Sequence, residues 1–324
     1  MHNTARCSSY LIFRAIFGAT LLASSSLAAD GVREINQARA LAGGVTPDDQ
    51  PGFPVTLSDS GSYLLTGNLT VDEPETTAIE ITVSNVRLDL NGFALQGPAR
   101  CQSGIDGSVN CGPSGDEGDG IKVGAPPGSP PVIGGSIQNG SVSGMGHSGI
   151  RVSGFGLTIS GVAATQNASI GINHEEGSAL TIRDCTVMRN GVEGVTLIRG
   201  VASNNTVSLN GGNGIRAQRS NIFENIVSDN RGPGVGPLFD VGDNLVRDNV
   251  ISNNASPQLD MSLGGSWSGN NLNGTPGSVL VTVPDVSEPG FGGSASPAAH
   301  EPYPNTCSGS PCTGFGPGSS GPVL

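Results

Sequence analysis

An imperfect repeat of about 20–24 residues constrains the fold of this chain more than any other feature of its sequence. In a typical copy, positions 1, 6 and 14 are apolar. Position 4 is often Asn, position 9 is Asn and position 13 is Gly. The clearest copies span residues 182–195, 202–215, 222–235 and 246–259, and weaker copies begin at Ile137 and Ile159. A single copy holds too few apolar residues to bury a core alone, so the repeat predicts stacked units.

Aligned copies place apolar residues in three columns. The first column contains Ile137, Ile159, Ile182, Ala202, Ile222 and Val246. The second contains Val142, Ala164, Val187, Val207, Val227 and Ile251. The third contains Ile150, Ile172, Val195, Ile215, Val235 and Leu259. Stacked coils about 4.8 Å apart pair their strands in parallel. We therefore expect the three columns to point inward and to form one continuous core.

Two further columns are rich in asparagine. One contains Asn167, Asn190, Asn210, Asn230 and Asn254, and the other contains Asn205, Asn225 and Asn249. Asn tolerates a left-handed backbone, and its amide can bond to its counterpart one coil away, so the first column predicts one line of turn residues. A glycine stands four residues after each Asn of the first column except Asn254, and it predicts a position of positive φ or of close backbone approach.

Other repeat architectures fit the pattern less well. Leucine-rich repeats need Leu at several fixed positions, and a propeller blade needs about 40 residues. The copies also lack the Gly-Asp nonapeptide of calcium-binding β-rolls. The sequence therefore favours coils of three short strands and three turns.

The sequence around the repeat sets the expected domain limits. We expect coils over residues 53–265, interrupted at 98–119 by a long loop that contains Cys and Gly. Residues 29–52 should cap the open end of the solenoid, with a short helix over 32–42 closed by Gly43 and Gly44. Residues 266–324, rich in Gly, Pro and Ser, predict an irregular C-terminal tail.

The first 28 residues have the order of an export signal. Arg6 and Arg14 give a basic start, residues 11–22 are mostly apolar, and Ser26 to Ala28 supplies small residues for cleavage. The apolar run is shorter than the about 20 residues that a membrane span needs. We expect a signal peptide over residues 1–28, a secreted or periplasmic location, and no membrane span in the mature chain.

The charge balance argues against one class of partner. Removal of residues 1–28 leaves 13 basic and 27 acidic residues. Nucleic acid is a polyanion and repels a chain this acidic, so we expect no nucleic-acid partner.

The cysteines suit an oxidising compartment. Cys101 and Cys111 flank a short loop, as do Cys307 and Cys312, and both pairs predict local disulfides. Cys185 is left over, and we expect it to be free and buried.

The column pattern Ile-x-x-Asn-x-Val-x-x-Asn-x-x-x-Gly-Ile resembles the parallel β-helix repeat family with the pectin-lyase-like fold. The resemblance covers roughly residues 53–265 and is strongest over 137–262. It implies an all-β, right-handed parallel β-helix, elongated, extracellular or periplasmic, of a kind that often meets polysaccharide. The family includes pectate lyases, polygalacturonases, alginate epimerases, phage tailspikes, adhesins and periplasmic accessory proteins, so a shared fold does not fix an activity.

The motifs of polygalacturonase-like hydrolases are incomplete in this sequence. Gly146-His147-Ser148-Gly149 is close to their Gly-His-Gly motif, but the pair Asp48-Asp49 precedes the coils. Glycoside cleavage by acid/base chemistry needs two carboxylates, so we interpret His147 as an ordinary turn residue. The run Asp116-Glu117-Gly118-Asp119 lacks the twelve-residue calcium-loop motif and predicts a weak calcium site or none.

A row of acids is the candidate binding site. Asp184, Glu224 and Asp248 precede the second polar column, and Arg183 and Arg247 stand before two of them. Acids on successive coils could share Ca²⁺, and the arginines could hold a uronate carboxylate in two-point contact. The alternative interpretation is a solvated polar face.

Two functions stay open. An exported, non-catalytic β-helix that binds polysaccharide or cell-envelope glycan, without a cofactor, is favoured because no catalytic set is complete. The alternative is a polysaccharide lyase, glycoside hydrolase or epimerase, with Ca²⁺ as the cofactor that the acids suggest. Two or more acids with a basic residue in one groove would favour the enzyme.

Overall fold

The computed structural model describes residues 31–104, 108–239, 242–274, 279–282, 305–307 and 310–311. Across these ranges the chain is nearly all β, with one α-helix, Gln37–Ala42, and short strands stacked in parallel rungs. The predicted all-β solenoid is confirmed. The predicted signal peptide lies outside the described residues. No helix in the described ranges has the length and hydropathy needed to cross a bilayer.

The larger sheet, called sheet A, contains 19 of the described strands. In most coils it receives two short segments separated by a bend, so it forms two of the three sides of the coil. Its strands are Arg33–Ile35, Gly61–Leu65, Leu69–Thr70, Val86–Asp89, Ala94–Gln96, Gly135–Ser143, Thr158–Thr165, Thr181–Arg183, Thr186–Met188, Val201–Ser203, Thr206–Ser208, Asn221–Phe223, Ile226–Ser228, Asn244–Arg247, Val250–Ser252, Gly265–Ser268, Asn271–Asn273, Thr306–Cys307 and Ser310–Pro311.

The smaller sheet, called sheet B, forms the third side of the coils with 11 described strands. Its strands are Val55–Leu57, Ile79–Ile81, Ile121–Val123, Val132–Ile133, Ile150–Phe155, Ile172–Ser178, Val195–Ile198, Ile215–Gln218, Val235–Pro237, Leu259–Asp260 and Val281–Thr282. The described pairings in sheet B are all parallel, and successive rungs alternate with the two segments of sheet A.

The three apolar columns point inward and stack as predicted. Strand pairing places Val207 between Val187 and Val227 in the second column. It likewise places Ile215 between Val195 and Val235 in the third column. The residues of all three columns are buried in one continuous cluster. Each rung therefore contributes a few aliphatic side chains to a core that no single coil could form.

The first asparagine column is a buried hydrogen-bonded ladder. Each Nδ2 donates to Oδ1 of the next Asn, from Asn167 through Asn190, Asn210 and Asn230 to Asn254, at 2.8–2.9 Å. The expected left-handed conformation belongs to the residue before each Asn, for example Arg189 with a φ of 55°. The glycines that follow the ladder asparagines allow neighbouring coils to pack closely. A Cβ at Gly171, for example, would lie 2.7 Å from Asn190 Nδ2.

The second asparagine column is a ladder that extends further than predicted. Asn249 Nδ2 donates to Asn270 Oδ1 at 2.9 Å, and Asn270 Nδ2 donates to Asn305 Oδ1 at 3.0 Å. The expected irregular tail after residue 265 is therefore wrong for its first part. Trp267 pairs with Val246 and is buried, so it continues the first apolar column. Because Trp replaces an aliphatic residue there, the repeat is hard to recognise in the sequence. The tail residues 283–304 and 312–324 lie outside the described residues.

The N-terminal cap begins differently from the prediction. Residues Arg33–Ile35 form a strand that pairs in parallel with Tyr63–Leu65, and the helix starts after it. Asn36 ends the strand in an extended conformation, and its side chain accepts a hydrogen bond from Arg39 N at 3.0 Å. This cap fixes the helix start, and Gly43, with a φ of 71°, ends it.

The cysteine-containing loop is a stapled hairpin. Arg100–Ser103 pairs antiparallel with Val109–Gly112, and the predicted Cys101–Cys111 disulfide is present. A Cβ at Gly191 would lie 3.2 Å from Cys111 Sγ, so the hairpin lies over the bends of the first ladder. Cys307 is disulfide-bonded, and Cys312, its predicted partner, lies outside the described residues. Cys185 is free and buried, as predicted.

Candidate functional site

The predicted acidic row lies on the bends between the two segments of sheet A. Asp184, Glu224 and Asp248 are exposed, and each has a left-handed backbone with a φ of 57–58°. Asn204, between them in the row, has a φ of 55°. Asp and Asn are the non-glycine residues that adopt this conformation most readily, so the bend itself accounts for much of the row.

Two acids of this row, Asp184 and Asp248, form ion pairs with the arginines that precede them. Arg183 Nη1 lies 2.7 Å from Asp184 Oδ2, and Arg247 Nη1 lies 2.8 Å from Asp248 Oδ2. Arg247 also stacks 4.4 Å from the centroid of the Phe223 ring. Throughout the described ranges, no three His, Cys, Asp or Glu side chains converge to hold a metal ion. Binding of calcium or glycan by this row stays a prediction.

A different group of charged side chains converges on the outward face of sheet B. At its centre is Asp119, whose side chain has no exposed area. His147 Nδ1 donates to Asp119 Oδ1 at 2.8 Å, and Ser148 N donates to the same oxygen at 3.1 Å. Arg151 Nε lies 2.7 Å from Asp119 Oδ2. The two groups form an ion pair, but the N–H and the oxygen are not aligned for a hydrogen bond. A buried carboxylate is thus held between two basic side chains.

Three further acids and one lysine extend this group. Glu117 Oε2 lies 2.7 Å from Arg151 Nη2 and 3.7 Å from Lys122 Nζ. Glu80 Oε1 lies 3.6 Å from Lys122, and Glu175 Oε1 lies 3.8 Å from Arg151 Nη1. We call these seven residues the charged cluster: Glu80, Glu117, Asp119, Lys122, His147, Arg151 and Glu175.

Strand register explains how the charged cluster assembles. Glu80, Lys122 and Arg151 occupy the same outward position on three successive rungs of sheet B. Their neighbours in sequence, such as Ile121 and Val123, are buried, because side chains alternate between the two faces of a strand. The row of outward side chains is therefore fixed by the same pairing that builds the core.

Loops beside sheet B bring in Glu117, Asp119 and His147. Gly118, with a φ of 86°, and Gly146 both pack so tightly against Pro74 O that neither has room for a Cβ. Glu75 accepts a hydrogen bond from Glu117 N at 3.1 Å, and Thr77 accepts one from Asp119 N at 3.3 Å. The close packing of these loops sets Asp119 and His147 side by side.

The electrostatics of the charged cluster favour a permanently charged arginine. Burial alone would lower the pKa of Arg151, but the negative charges of Asp119, Glu175 and Glu117 outweigh it and raise the pKa. Arg151 therefore stays cationic and compensates the buried Asp119 carboxylate.

An open groove of about 280 Å³ adjoins the charged cluster. Its walls include Phe53, Glu75, Glu80, Glu117 and Lys122. His147 is only 21% exposed, and its Nδ1 is occupied by Asp119, so Nε2 is the ring nitrogen left for other contacts. Such an arrangement can bind hydroxyl groups and can exchange a proton through His147.

The charged cluster was missed because its members are scattered in sequence. The prediction that His147 is an ordinary turn residue did not foresee its contact with Asp119, 28 residues earlier. A signal was present in the sequence. Gly120-Ile121-Lys122-Val123 and Gly149-Ile150-Arg151-Val152 share one pattern, which aligns the two basic residues on neighbouring rungs.

A second histidine, His174, is a core residue. It is buried opposite Val152, and its Nδ1 accepts a hydrogen bond from Ile198 N at 3.2 Å. Burial lowers its pKa, so the folded protein holds it neutral. Its neighbour Glu175 sits at a bulge in the strand and reaches Arg151 instead.

Comparison with known families agrees with this architecture. The family described as right handed beta helix region matches residues 114–251. This chain is a right-handed parallel β-helix. None of the curated proteins matches it in sequence. The family match includes six of the seven residues of the charged cluster, from Glu117 to Glu175, and leaves out Glu80.

Solved structures of other β-helices are similar to this one at low identity. The Dettilon tailspike protein is 17% identical, with a TM-score of 0.46, over 67% of this chain and 48% of the tailspike. The A-module of the Azotobacter vinelandii mannuronan C-5 epimerase AlgE4 is 17% identical, with a TM-score of 0.46, over 70% and 68% of the two chains. Pectate lyase Pel9A is 14% identical, with a TM-score of 0.44, over 83% and 71%. This β-helix thus spans about half the length of the tailspike.

Proposed function

We propose that this β-helix is exported and binds a polysaccharide across the charged cluster on sheet B. The observation that carries the proposal is the buried Asp119 carboxylate, which is held between His147 and Arg151. Glu117, an ion-pair partner of Arg151, lines an open groove beside them. Burying charges is costly, and apolar or neutral residues would serve the fold as well. Charged groups gathered in this way beside a groove are typical of functional sites.

The chemistry of the cluster suits a ligand rich in hydroxyl groups. Its cations already face carboxylates, so the free capacity lies in the exposed acid oxygens of Glu117 and Glu175 and in the lysine amine. Carboxylates accept hydrogen bonds from hydroxyls, and Lys122 donates to them. Glu80, Lys122 and Arg151 lie in a line on rungs about 4.8 Å apart, which fits an extended polymer better than a small molecule.

Binding to polysaccharides tests this proposal. The purified full chain is titrated calorimetrically with polygalacturonate, alginate and a neutral β-glucan. The double variant Glu117→Gln, Lys122→Gln removes exposed members of the cluster, while Arg183→Gln, Asp184→Asn removes a matched exposed ion pair on sheet A. We expect one polysaccharide to bind, with affinity about tenfold or more weaker in the cluster variant and unchanged in the control. Equal affinity in both variants, or no binding at all, would contradict the proposal.

A second candidate function is catalysis by proton transfer, and a specific observation favours it. Asp119 orients the His147 ring through Nδ1, as a carboxylate does for a general acid or base. Glu75, Glu80 and Glu117 line one groove together with Lys122, and two or more acids with a basic residue in one groove favour an enzyme. His147 would then exchange a proton with the bound sugar, and Glu117 and Glu175 are the nearby carboxylates.

Product analysis separates the two functions. Any polysaccharide that binds is incubated with the protein and followed for unsaturated ends, reducing ends and epimerised residues. Catalysis predicts a loss of about 10²-fold or more in His147→Gln, with binding retained, and full activity in His174→Asn. Binding without any product from the unaltered protein would leave a non-catalytic glycan-binding protein.

A further inference from the structure

A groove on the outward face of sheet A lies away from the charged cluster. It consists of two adjoining hollows of about 390 and 460 Å³ that share Ser62, Arg87 and Ser136. Asp89 and Gln138 line the larger hollow. The groove lies on the N-terminal rungs of sheet A, where the strands Gly61–Leu65, Val86–Asp89 and Gly135–Ser143 are neighbours.

Strand register places a guanidinium between two hydroxyls. Ser62 is the partner of Arg87 on one side, and Ser136 is its partner on the other. Neighbouring rungs are about 4.8 Å apart, so both hydroxyls lie within reach of a group bound by Arg87. All three side chains belong to the outward set, since Val86 and Leu88 on the same strand are buried.

Arg87 is exposed and takes part in none of the ion pairs found among the described residues. The acid next to it in the groove, Asp89, is engaged elsewhere. Its Oδ2 accepts from Gln138 Nε2 at 2.9 Å and from Asn139 Nδ2 at 3.2 Å, and its Oδ1 accepts from Asn91 N at 2.8 Å. A protein with a net charge of −12 thus keeps one uncompensated cation inside a groove.

We propose that this groove binds a sugar acid through its carboxylate. The planar fork of Arg87 matches the two oxygens of a carboxylate in bidentate contact. The Ser62 and Ser136 hydroxyls and the side-chain Oε1 of Gln138 offer hydrogen bonds to sugar hydroxyls. Val32 and Leu64 line the same groove and supply an apolar surface for the C–H face of the ring. The site is separate from the charged cluster and does not depend on the function proposed for that cluster.

Monosaccharide titration of the full chain tests this site. Glucuronate, glucose and inorganic sulfate are compared by saturation-transfer NMR, with the protein unaltered and with Arg87→Gln. The control is Arg189→Gln, which removes an exposed arginine from a bend that does not line the groove. We expect saturable glucuronate binding that weakens about tenfold or more in Arg87→Gln and is unchanged in Arg189→Gln and in Glu117→Gln, Lys122→Gln.

Several outcomes would overturn the assignment. Glucose that binds as tightly as glucuronate would mean that Arg87 does not select the carboxylate. Sulfate that displaces glucuronate at equal concentration would make the groove a general anion site and not a sugar-acid site. Unchanged binding in Arg87→Gln, or no saturable glucuronate binding, would remove the site. Loss of polysaccharide binding in the cluster variant alone bears only on the charged cluster.

Discussion

The regular rungs over residues 181–273 and the irregular rungs over residues 53–155 are built from the same parallel strands but differ in what they carry. The regular rungs repeat their aliphatic columns and asparagine ladders with little variation. The irregular rungs contain the stapled hairpin, long loops, and most of the charged cluster. The periodic part specifies the solenoid, and the loops that interrupt the repeat help to position the residues of the charged cluster.

This comparison shows that the repeat predicts the fold but does not predict where the charged cluster lies. The residues that break the pattern, such as Gly118 and Gly146, position Asp119 and His147 through loop packing. Mutations in the regular rungs should therefore change stability, while mutations of exposed cluster residues should change binding.

A charge in the regular core should have the largest effect. Val207 is buried between Val187 and Val227, so Val207→Asp should cost several kcal/mol, on the order of 3–5, and abolish cooperative folding. Thr206→Asp, the matched control, places the same charge at the adjacent exposed position and should change stability by about 0.5 kcal/mol or less. Circular dichroism with urea denaturation measures both. A Val207→Asp variant with the parent urea midpoint would show that the column is not inside.

Loss of one ladder amide should have the next largest effect. In Asn210→Ala, the Nδ2 and backbone N of Asn190 lose their shared acceptor, since both donate to Asn210 Oδ1. We expect a loss of about 2–4 kcal/mol, because buried donors are left unsatisfied. Asn221→Ala removes an exposed Asn of the same rungs and should cost much less. Equal losses in the two variants, from urea denaturation, would mean that the ladder contributes nothing specific.

A smaller effect should appear as a dependence of stability on pH. Burial lowers the pKa of His174, whereas in the unfolded chain its pKa is about 6.5. The unfolded state therefore binds the extra proton first, and the stability contributed by neutral His174 is lost as pH falls below about 6.5, by up to about 1.4 kcal/mol per pH unit.

The control for this pH effect is His174→Asn, which keeps an acceptor for Ile198 N without a titrating ring. Urea denaturation between pH 7 and pH 5 should show a shallower pH dependence in the variant. Identical slopes would indicate that His174 is protonated at the same pH in the folded and unfolded states.

The smallest expected effect is the protection of one thiol. Burial raises the pKa of Cys185 to about 11, and its Sγ lies 3.2 Å from Arg183 O. Iodoacetamide at pH 8 should therefore leave Cys185 unlabelled in the folded protein and label it after unfolding. Rapid labelling of the folded protein, found by peptide mapping, would place Cys185 at the surface.

The sequence predicted the columns and the first ladder because equivalent residues recur at a nearly constant spacing. It did not predict that Asn270 and Asn305 continue the second ladder, since Trp267 replaces an aliphatic residue and an insertion separates them. Its candidate binding site at Asp184, Glu224 and Asp248 stays a prediction, and all three residues lie on left-handed bends. The charged cluster depends on contacts such as Asp119–His147, which loop packing creates and no period encodes.

The most direct test of the account compares ligand binding at the two sites in one experiment. Polysaccharide that binds the unaltered chain is titrated into Asp184→Asn, Glu224→Gln, Asp248→Asn and into Glu117→Gln, Lys122→Gln, Glu175→Gln, with folding of both triple variants checked by circular dichroism. We expect parent affinity for the acidic-row variant and an affinity about tenfold or more weaker for the cluster variant. Weaker binding in the acidic-row variant, with parent affinity in the cluster variant, would contradict it.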